Sequence, residues 1–428
     1  MRNQELQHYL NMQADRIEAV CRENGLAVAV SGGQVGPRLA VFDLRVGGSA
    51  ANLVDRLRKL EEVLALRLEQ SQVQVRRAGG RLVLLTPTGG LRPVWLESFD
   101  RHLKPQTLFL GVRADAPGEV LAVRPAHPDV VHILVTGSTG SGKSVLLRTM
   151  LLSLAQATPS DQAHLVLLDP KGCEFTGLER LPHVVELVRG DTNAAAVLAG
   201  LTGEMDRRGR AGIVLPRLYV FIDELADLLD QGGAAVMGPL VRLAQAGRGV
   251  GIHLIAGTQK PTNQSIGGLI KFNFKTRIVG VVPSANDAVA ASGAAGSGAE
   301  KLLGQGDFML FGPVPEPVRF QAAAVRDVAA RVERLVAVKP AGAAALPRQW
   351  VYEDQRKTSV VRKLLSFPTG LGKAGRGGHN TETFTPEQIA DAQSGLSAYF
   401  LRKKYPDLSG SRASRLERDY GPERTTAK

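Results

Sequence analysis

The chain has 428 residues, 44% of them hydrophobic, enough to bury the cores of two or three domains. Its net charge of +12 points first to phosphate polymers as partners, the competing explanation being an arginine-rich composition with no functional meaning. No apolar run approaches the roughly 20 residues of a membrane-spanning helix, the polar start is not a secretory signal, and two distant cysteines, Cys21 and Cys173, make neither a disulfide framework nor a zinc site. A cytoplasmic protein with no membrane segment of its own is expected.

Residues 3–24 carry Leu6, Leu10, Ala14, Ile17 and Val20 near helical spacing, with Gly25 as the stop. Strand-like runs follow at 26–31 and 39–46. Ser49 is placed to cap one helix bearing Leu53, Leu57, Leu60 and Leu64 on a single face. Residues 73–75 and 82–85, split by Gly79 and Gly80, read as a hairpin. The expectation for 1–104 is a small α/β domain with no chemistry of its own.

From about residue 104 short apolar strands alternate with polar turns and helical stretches, at 131–135, 165–168, 218–222, 252–256, 276–282 and 308–311. Buried strands separated by helices imply a mostly parallel sheet covered on both faces. Ligands of such sheets bind at the carboxyl ends of the strands. Gly137, Asp169, Asp223 with Glu224, and Thr258 with Gln259 all follow predicted strand ends. This second domain is expected over 105–337. A linker rich in Ala, Gly and Pro (338–347) then leads to a basic, mostly helical tail ending at 428, with a capped helix opening at Thr385-Pro-Glu-Gln. From residue 346 onward fifteen Lys and Arg stand against nine Asp and Glu.

Residues 137–144 read Gly-Ser-Thr-Gly-Ser-Gly-Lys-Ser, a complete phosphate-binding loop between a strand and a helix. Gly137, Gly140 and Gly142 let the backbone turn tightly, and with Ser138, Thr139 and Ser141 they aim N–H groups at phosphate oxygens. Lys143 reaches the β and γ phosphates, and the Ser144 hydroxyl ligates Mg²⁺. The helix N-terminus adds its dipole. Asp223 emerges from an apolar strand and is the second candidate for the metal. Glu224 is the candidate base that activates water. ATP and Mg²⁺ are therefore the expected cofactors and ATP hydrolysis the expected chemistry. Thr258 and Gln259 read either as a γ-phosphate sensor or as an ordinary turn before Pro261. His253, inside an apolar run, reads as a satisfied core residue.

Beyond the loop, further segments occur in order. They are Leu168-Asp-Pro-Lys171, Leu181-Pro-His183, Glu204-Met-Asp-Arg-Arg208, Phe221-Ile-Asp-Glu-Leu-Ala-Asp-Leu228, Arg242-Leu-Ala-Gln245, Gly251-Ile-His-Leu254 and Thr258-Gln-Lys-Pro261. Gly268-Leu-Ile-Lys271, Thr276-Arg-Ile278 and Leu302-Leu-Gly-Gln-Gly-Asp307 complete the series. This series resembles the FtsK/SpoIIIE family of double-stranded DNA translocases, strongly over 105–325 and weakly over 1–104. The resemblance implies a RecA-like P-loop NTPase motor working as a homo-hexameric ring on duplex DNA. It implies that Arg248 is a finger reaching a neighbour's γ-phosphate, where spacing alone suggests only a solvated helix end. It supports Gln259 as the sensor and makes Lys260, Lys271 and Arg277 candidate DNA contacts. The role implied is DNA transfer or chromosome or plasmid segregation, with a recruiting protein as a further possible partner.

The chain also departs from the family pattern. Gly257 and Lys260 stand where the family usually has Ala and Arg, and Ala285 and Val289 stand where it usually carries a DNA-gripping lysine and arginine. The tail segment 409–421 reads either as a recognition helix or as a basic end contacting phosphates without sequence preference. The competing reading of the whole is an ATPase of a secretion or conjugation apparatus, with protein or nucleoprotein as cargo.

Overall fold

In the computed structural model the described residues are 3–47, 52–78, 80–190, 193–261, 268–312, 314 and 316–337. The chain divides into two units, Met1–Phe367 and Pro368–Lys428, and everything below belongs to the first. Ser49, the linker and the basic tail with its Thr385 helix and 409–421 segment lie outside the described residues.

Helix α1 (Asn3–Glu23) packs its Ile17 and Val20 on a sheet of order β1-β2-β4-β3, all neighbours antiparallel. The strands are β1 (Val28–Val35), β2 (Leu39–Val46), β3 (Gln74–Ala78) and β4 (Arg81–Pro87). The single helix expected over 53–64 is instead two, α2 (Leu53–Lys59) and α3 (Glu61–Arg67). Leu60 joins them near φ −93°, ψ 0°, in the bridge region that ends an α-helix. The break has a packing reason: α2 lies on β3 while α3 lies on α1, and both Leu57 and Leu64 reach the core.

The second sheet is larger. It runs β10-β9-β11-β12-β8-β13-β14-β15-β6-β7, with short β5 (Val94–Trp95) beside β15. Its members are β6 (Leu108–Arg113), β7 (Val120–Val123), β8 (Ile133–Thr136), β9 (Ala163–Asp169), β10 (Val184–Arg189), β11 (Arg217–Ile222), β12 (Ile252–Thr258), β13 (Thr276–Val279), β14 (Asp307–Phe311) and β15 (Val318–Ala324). From β10 to β13 every pairing is parallel, as the continuous apolar runs predict. From β13 onward the sheet turns antiparallel.

Helix α4 (Lys143–Ala157) covers one face, with Leu146, Met150 and Leu154 fully buried. The other face is covered by α5 (Ala194–Ala211) and α6 (Leu225–Ala246), the latter kinked at Gly233. Shorter helices follow: α7 (Gly268–Asn273), α8 (Ala285–Ser292) and α9 (Val328–Ala337). Among the described residues no helix is long and apolar enough to cross a membrane. Cys21 is buried and Cys173 exposed, and neither is in a disulfide.

Candidate functional site

β12 lies between β8 and β11, so the strand ending in Thr258 separates the strand of the phosphate loop from the strand of the acid pair. Parallel register brings all three carboxyl ends level, with Thr258 opposite Thr136 and Ala256 opposite Ile222. Residues some 80–120 positions apart thereby converge.

The loop leaves β8 at Thr136 and enters α4 through Gly142, whose φ of +97° favours glycine. Its Gly137 and Ser138 N–H groups donate outward, to Thr258 O and Val281 O. Those two residues therefore anchor the loop to the sheet. The N–H groups of Gly142, Lys143 and Ser144, at the start of α4, have no intrahelical acceptor and form an anion-binding helix N-terminus.

Lys143 is 6% exposed, and its Nζ donates to the Asp223 carbonyl and to Asp223 Oδ1 at 3.2 Å. It also lies 3.7 Å from Glu224 Oε2. The Ser144 hydroxyl donates to the same Asp223 Oδ1 at 3.3 Å. A hydroxyl and a buried carboxylate side by side are the hard oxygen donors that Mg²⁺ takes, so Ser144 and Asp223 fit the ion. Glu224 occupies the N-cap position of α6 but makes no side-chain bond to that helix. Its two carboxylate oxygens instead lie 3.1 Å from the Gln259 N–H. The Gln259 side chain in turn accepts from the Thr139 hydroxyl at 3.2 Å. Lys143, Ser144, Asp223, Glu224, Gln259 and Thr139 thus form one connected cluster. Chemically it offers a phosphate cradle, a metal-ligand pair and a carboxylate held beside them.

Other singled-out residues lie elsewhere. Asp169 ends β9 but is a turn organiser: its carboxylate accepts the Gly172 and Glu174 N–H groups at 2.8 Å and that of Phe175 at 3.1 Å. Lys171 pairs with Asp227 at 3.7 Å. His253 is a core residue, with Nδ1 at 3.0 Å from Val131 O and its ring stacked on Tyr219; burial pushes its pKa down to about 4. Arg248 is exposed on the short helical turn Gly247–Val250, directly before β12. Seven residues of strand separate it from Gln259, about 20 Å at 3.3 Å per residue, so it cannot reach the phosphate loop of its own chain.

Of the candidate DNA contacts, Lys260 is exposed just past β12, and Lys271 falls in α7, where its side chain lies outside the described residues. Arg277 turns its guanidinium to the carbonyls of Phe274 at 3.3 Å and Ala291 at 3.5 Å.

Two features of the site region fall in segments that sequence reasoning quoted without assigning them a role. Buried Arg208, paired with Glu204 at 2.8 Å, donates to Pro216 O at 2.7 Å and Val250 O at 3.1 Å, fixing the turn that carries Arg248. The turn at 304–306 backs the phosphate loop directly, through bonds from Gln305 and Gly306 N–H to Gly140 and Ser141 carbonyls. The paired glycines of Leu302-Leu-Gly-Gln-Gly-Asp307 are its only sequence trace.

A parallel sheet with a phosphate loop on one strand, an acid pair on a second and a polar strand end between them defines a P-loop ATPase motor. Solved structures share this fold. The pCW3 conjugation coupling protein TcpA, in monomer form with ATPγS, matches at TM-score 0.52 and 21% identity over 76% of this chain and 99% of its own. The cytoplasmic domain of the Thermomonospora curvata type VII secretion ATPase EccC matches at 0.50 and 24% identity, over 59% of this chain and 34% of its own.

The FtsK/SpoIIIE family model matches residues 96–213. DNA translocase FtsK of Streptococcus agalactiae is 32% identical over 359 residues, covering 75% of this chain and 42% of that protein. DNA translocase FtsK of Caldanaerobacter subterraneus subsp. tengcongensis is 33% identical over 343 residues, covering 74% and 47%. The motor region of this chain belongs to the FtsK/SpoIIIE family. The chain spans less than half the length of these curated relatives.

Proposed function

We propose that this chain is an ATP-driven double-stranded DNA translocase acting as a homo-hexameric ring in the cytoplasm. The observation that carries the reading is the convergence of Lys143, Ser144, Asp223, Glu224 and Gln259 within a family segment whose curated relatives are DNA translocases. Gly137–Ser144 would hold ATP, and Ser144 and Asp223 would hold Mg²⁺, whose charge would offset that of the phosphates. Glu224, 2% exposed and beside Lys143, orients and deprotonates the attacking water. Gln259 couples that carboxylate, through its N–H, to Thr139 of the phosphate loop, which suits a sensor of the γ-phosphate.

Arg248 acts on a neighbouring subunit, a role that the family resemblance implies and that its exposure and its distance from its own loop support. Such fingers contribute about 10³–10⁵ in rate in other NTPases. Lys260 and Lys271 are the proposed phosphate-backbone contacts, so movement is independent of sequence. Arg277 is the third proposed contact, and its guanidinium also donates to the Phe274 and Ala291 carbonyls. The exposed Val289 leaves α8 without a basic grip at this position. DNA transfer or segregation, with a recruiting partner, is the proposed setting.

The test is the ATPase rate with and without linear duplex DNA, together with displacement of a DNA triplex. DNA should stimulate the rate, and Lys143→Ala or Glu224→Ala should abolish both activities. An ATPase indifferent to DNA would sink this reading in favour of a secretion or conjugation motor. Mixing Arg248→Ala with Glu224→Ala subunits should restore part of the activity, since some interfaces then carry both intact groups. No recovery at any ratio overturns the action in trans.

A further inference from the structure

The carbonyls of a phosphate loop point away from the ligand and need partners of their own. Here the turn Gly304-Gln305-Gly306 supplies them, with Gln305 N–H donating to Gly140 O at 2.9 Å and Gly306 N–H to Ser141 O at 2.7 Å. The turn is unusual in backbone. Gly304, Gln305 and Gly306 have φ of +71°, +49° and +91°, and a left-handed Gln is a conformation that surrounding contacts must hold in place. The fit is close enough that a Cβ on Gly142 would sit 2.9 Å from Gly306 N.

What holds the turn from behind comes from the small N-terminal domain. Arg38, at the entry to β2, donates to Gly304 O at 2.6 Å and Leu303 O at 2.9 Å. The Leu303 N–H is held by Asp307 at 2.8 Å. Asp307 binds buried Arg319 through both oxygens, and Arg319 reaches Gln74 Oε1 on β3 at 2.7 Å. Two separate strands of the N-terminal sheet therefore grip the turn that grips the phosphate loop.

We propose that Arg38 is a positioning residue for nucleotide binding: docking of the N-terminal domain sets the shape of the phosphate loop through the 304–306 turn. The inference rests on reading 137–144 as the ATP site. A built-in control exists. Arg81 ties the same domain to the motor through Asp115 O at 3.4 Å, a contact that does not touch the turn.

The experiment measures the dissociation constant of a non-hydrolysable ATP analogue and the melting temperature for the full chain and its variants. Arg38→Ala should weaken the analogue about tenfold, within the usual range of coupling between sites, and Arg38→Lys should lie between it and the unaltered chain. Arg81→Ala should leave analogue affinity within about twofold. Unchanged affinity in folded Arg38→Ala overturns the proposal, as does an equal loss in Arg81→Ala. Should Arg38→Ala not fold, the same comparison with Arg38→Lys decides. If the unaltered chain fails to bind, or Lys143→Ala binds as tightly, the ATP-site reading itself falls.

Discussion

Asp169 and Asp223 are alike in what precedes them, since each follows a run of buried apolar residues at a strand end. Their surroundings separate them. Asp169 is enclosed by three N–H donors of its own turn, whereas Asp223 faces a lysine and a serine of the phosphate loop. Asp169→Ala leaves those donors unmet and is expected to lower folding stability by about 1–3 kcal/mol. The urea midpoint should fall accordingly, with the KM for ATP unchanged. Asp223→Asn is expected to do the reverse, abolishing Mg²⁺-dependent hydrolysis with little change in the midpoint. The phosphate loop was legible because its function is local. The turning of Glu224 away from its own helix was not, because that depends on β12 lying next to it in space.

Among the elements, α5 shows how a motif earns its place by bracing instead of reacting. Arg208 and Glu204 are 3% and 2% exposed, and Arg208 bonds the carbonyls of Pro216 and Val250, at the starts of β11 and β12. Glu204 also holds Arg207 through both oxygens at 2.7 Å, so Arg208→Ala leaves its charge compensated and costs chiefly the unmet carbonyls, about 1–3 kcal/mol, read as a fall in denaturant midpoint. Glu204→Gln removes the counter-charge of buried Arg208 and should lose more, about 3–5 kcal/mol. The six parallel strands include five that could be read from continuous apolar runs. β6, β7, β10 and β15 escaped that reading because they are half-exposed at edges, interrupted by Gly111, or built from small residues such as Ala322, Ala323 and Ala324.

At the scale of the whole molecule, burial holds several histidines neutral. It depresses the pKa of His132 to about 3 and those of His164 and His253 to about 4. Unfolding frees them to protonate near 6.5, so their stabilising contribution is intact above that pH and is lost as pH falls toward 4. Buried Glu186 works oppositely. Its pKa is raised to about 7 by burial, so it favours the fold at low pH and costs stability as pH rises through 7. Burial holds His183 below its ordinary value as well, so four histidines against one carboxyl leave at least about two more protons on the unfolded chain between pH 6 and 4.5, and stability should drop by about 3 kcal/mol per unit of acidification. Thermal melts across pH 4.5–7.5 check this, and a melting temperature flat or rising below pH 6 contradicts it. The junction of the N-terminal sheet with the motor had no legible signature, since Arg38 and Gly304 stand 266 positions apart and neither lies in a motif for docking.

That separation also orders events in time. Arg38 is made early, and the turn it holds is made near the end of the motor. At about 5–20 residues per second of synthesis, roughly 15–50 seconds pass between the two. The loop at 137–144 is made partway through that interval, and for roughly 8–32 seconds after it its carbonyls lack their partners on Gln305 and Gly306. The backing of the phosphate loop by this turn is therefore complete only once the last motor strands have emerged.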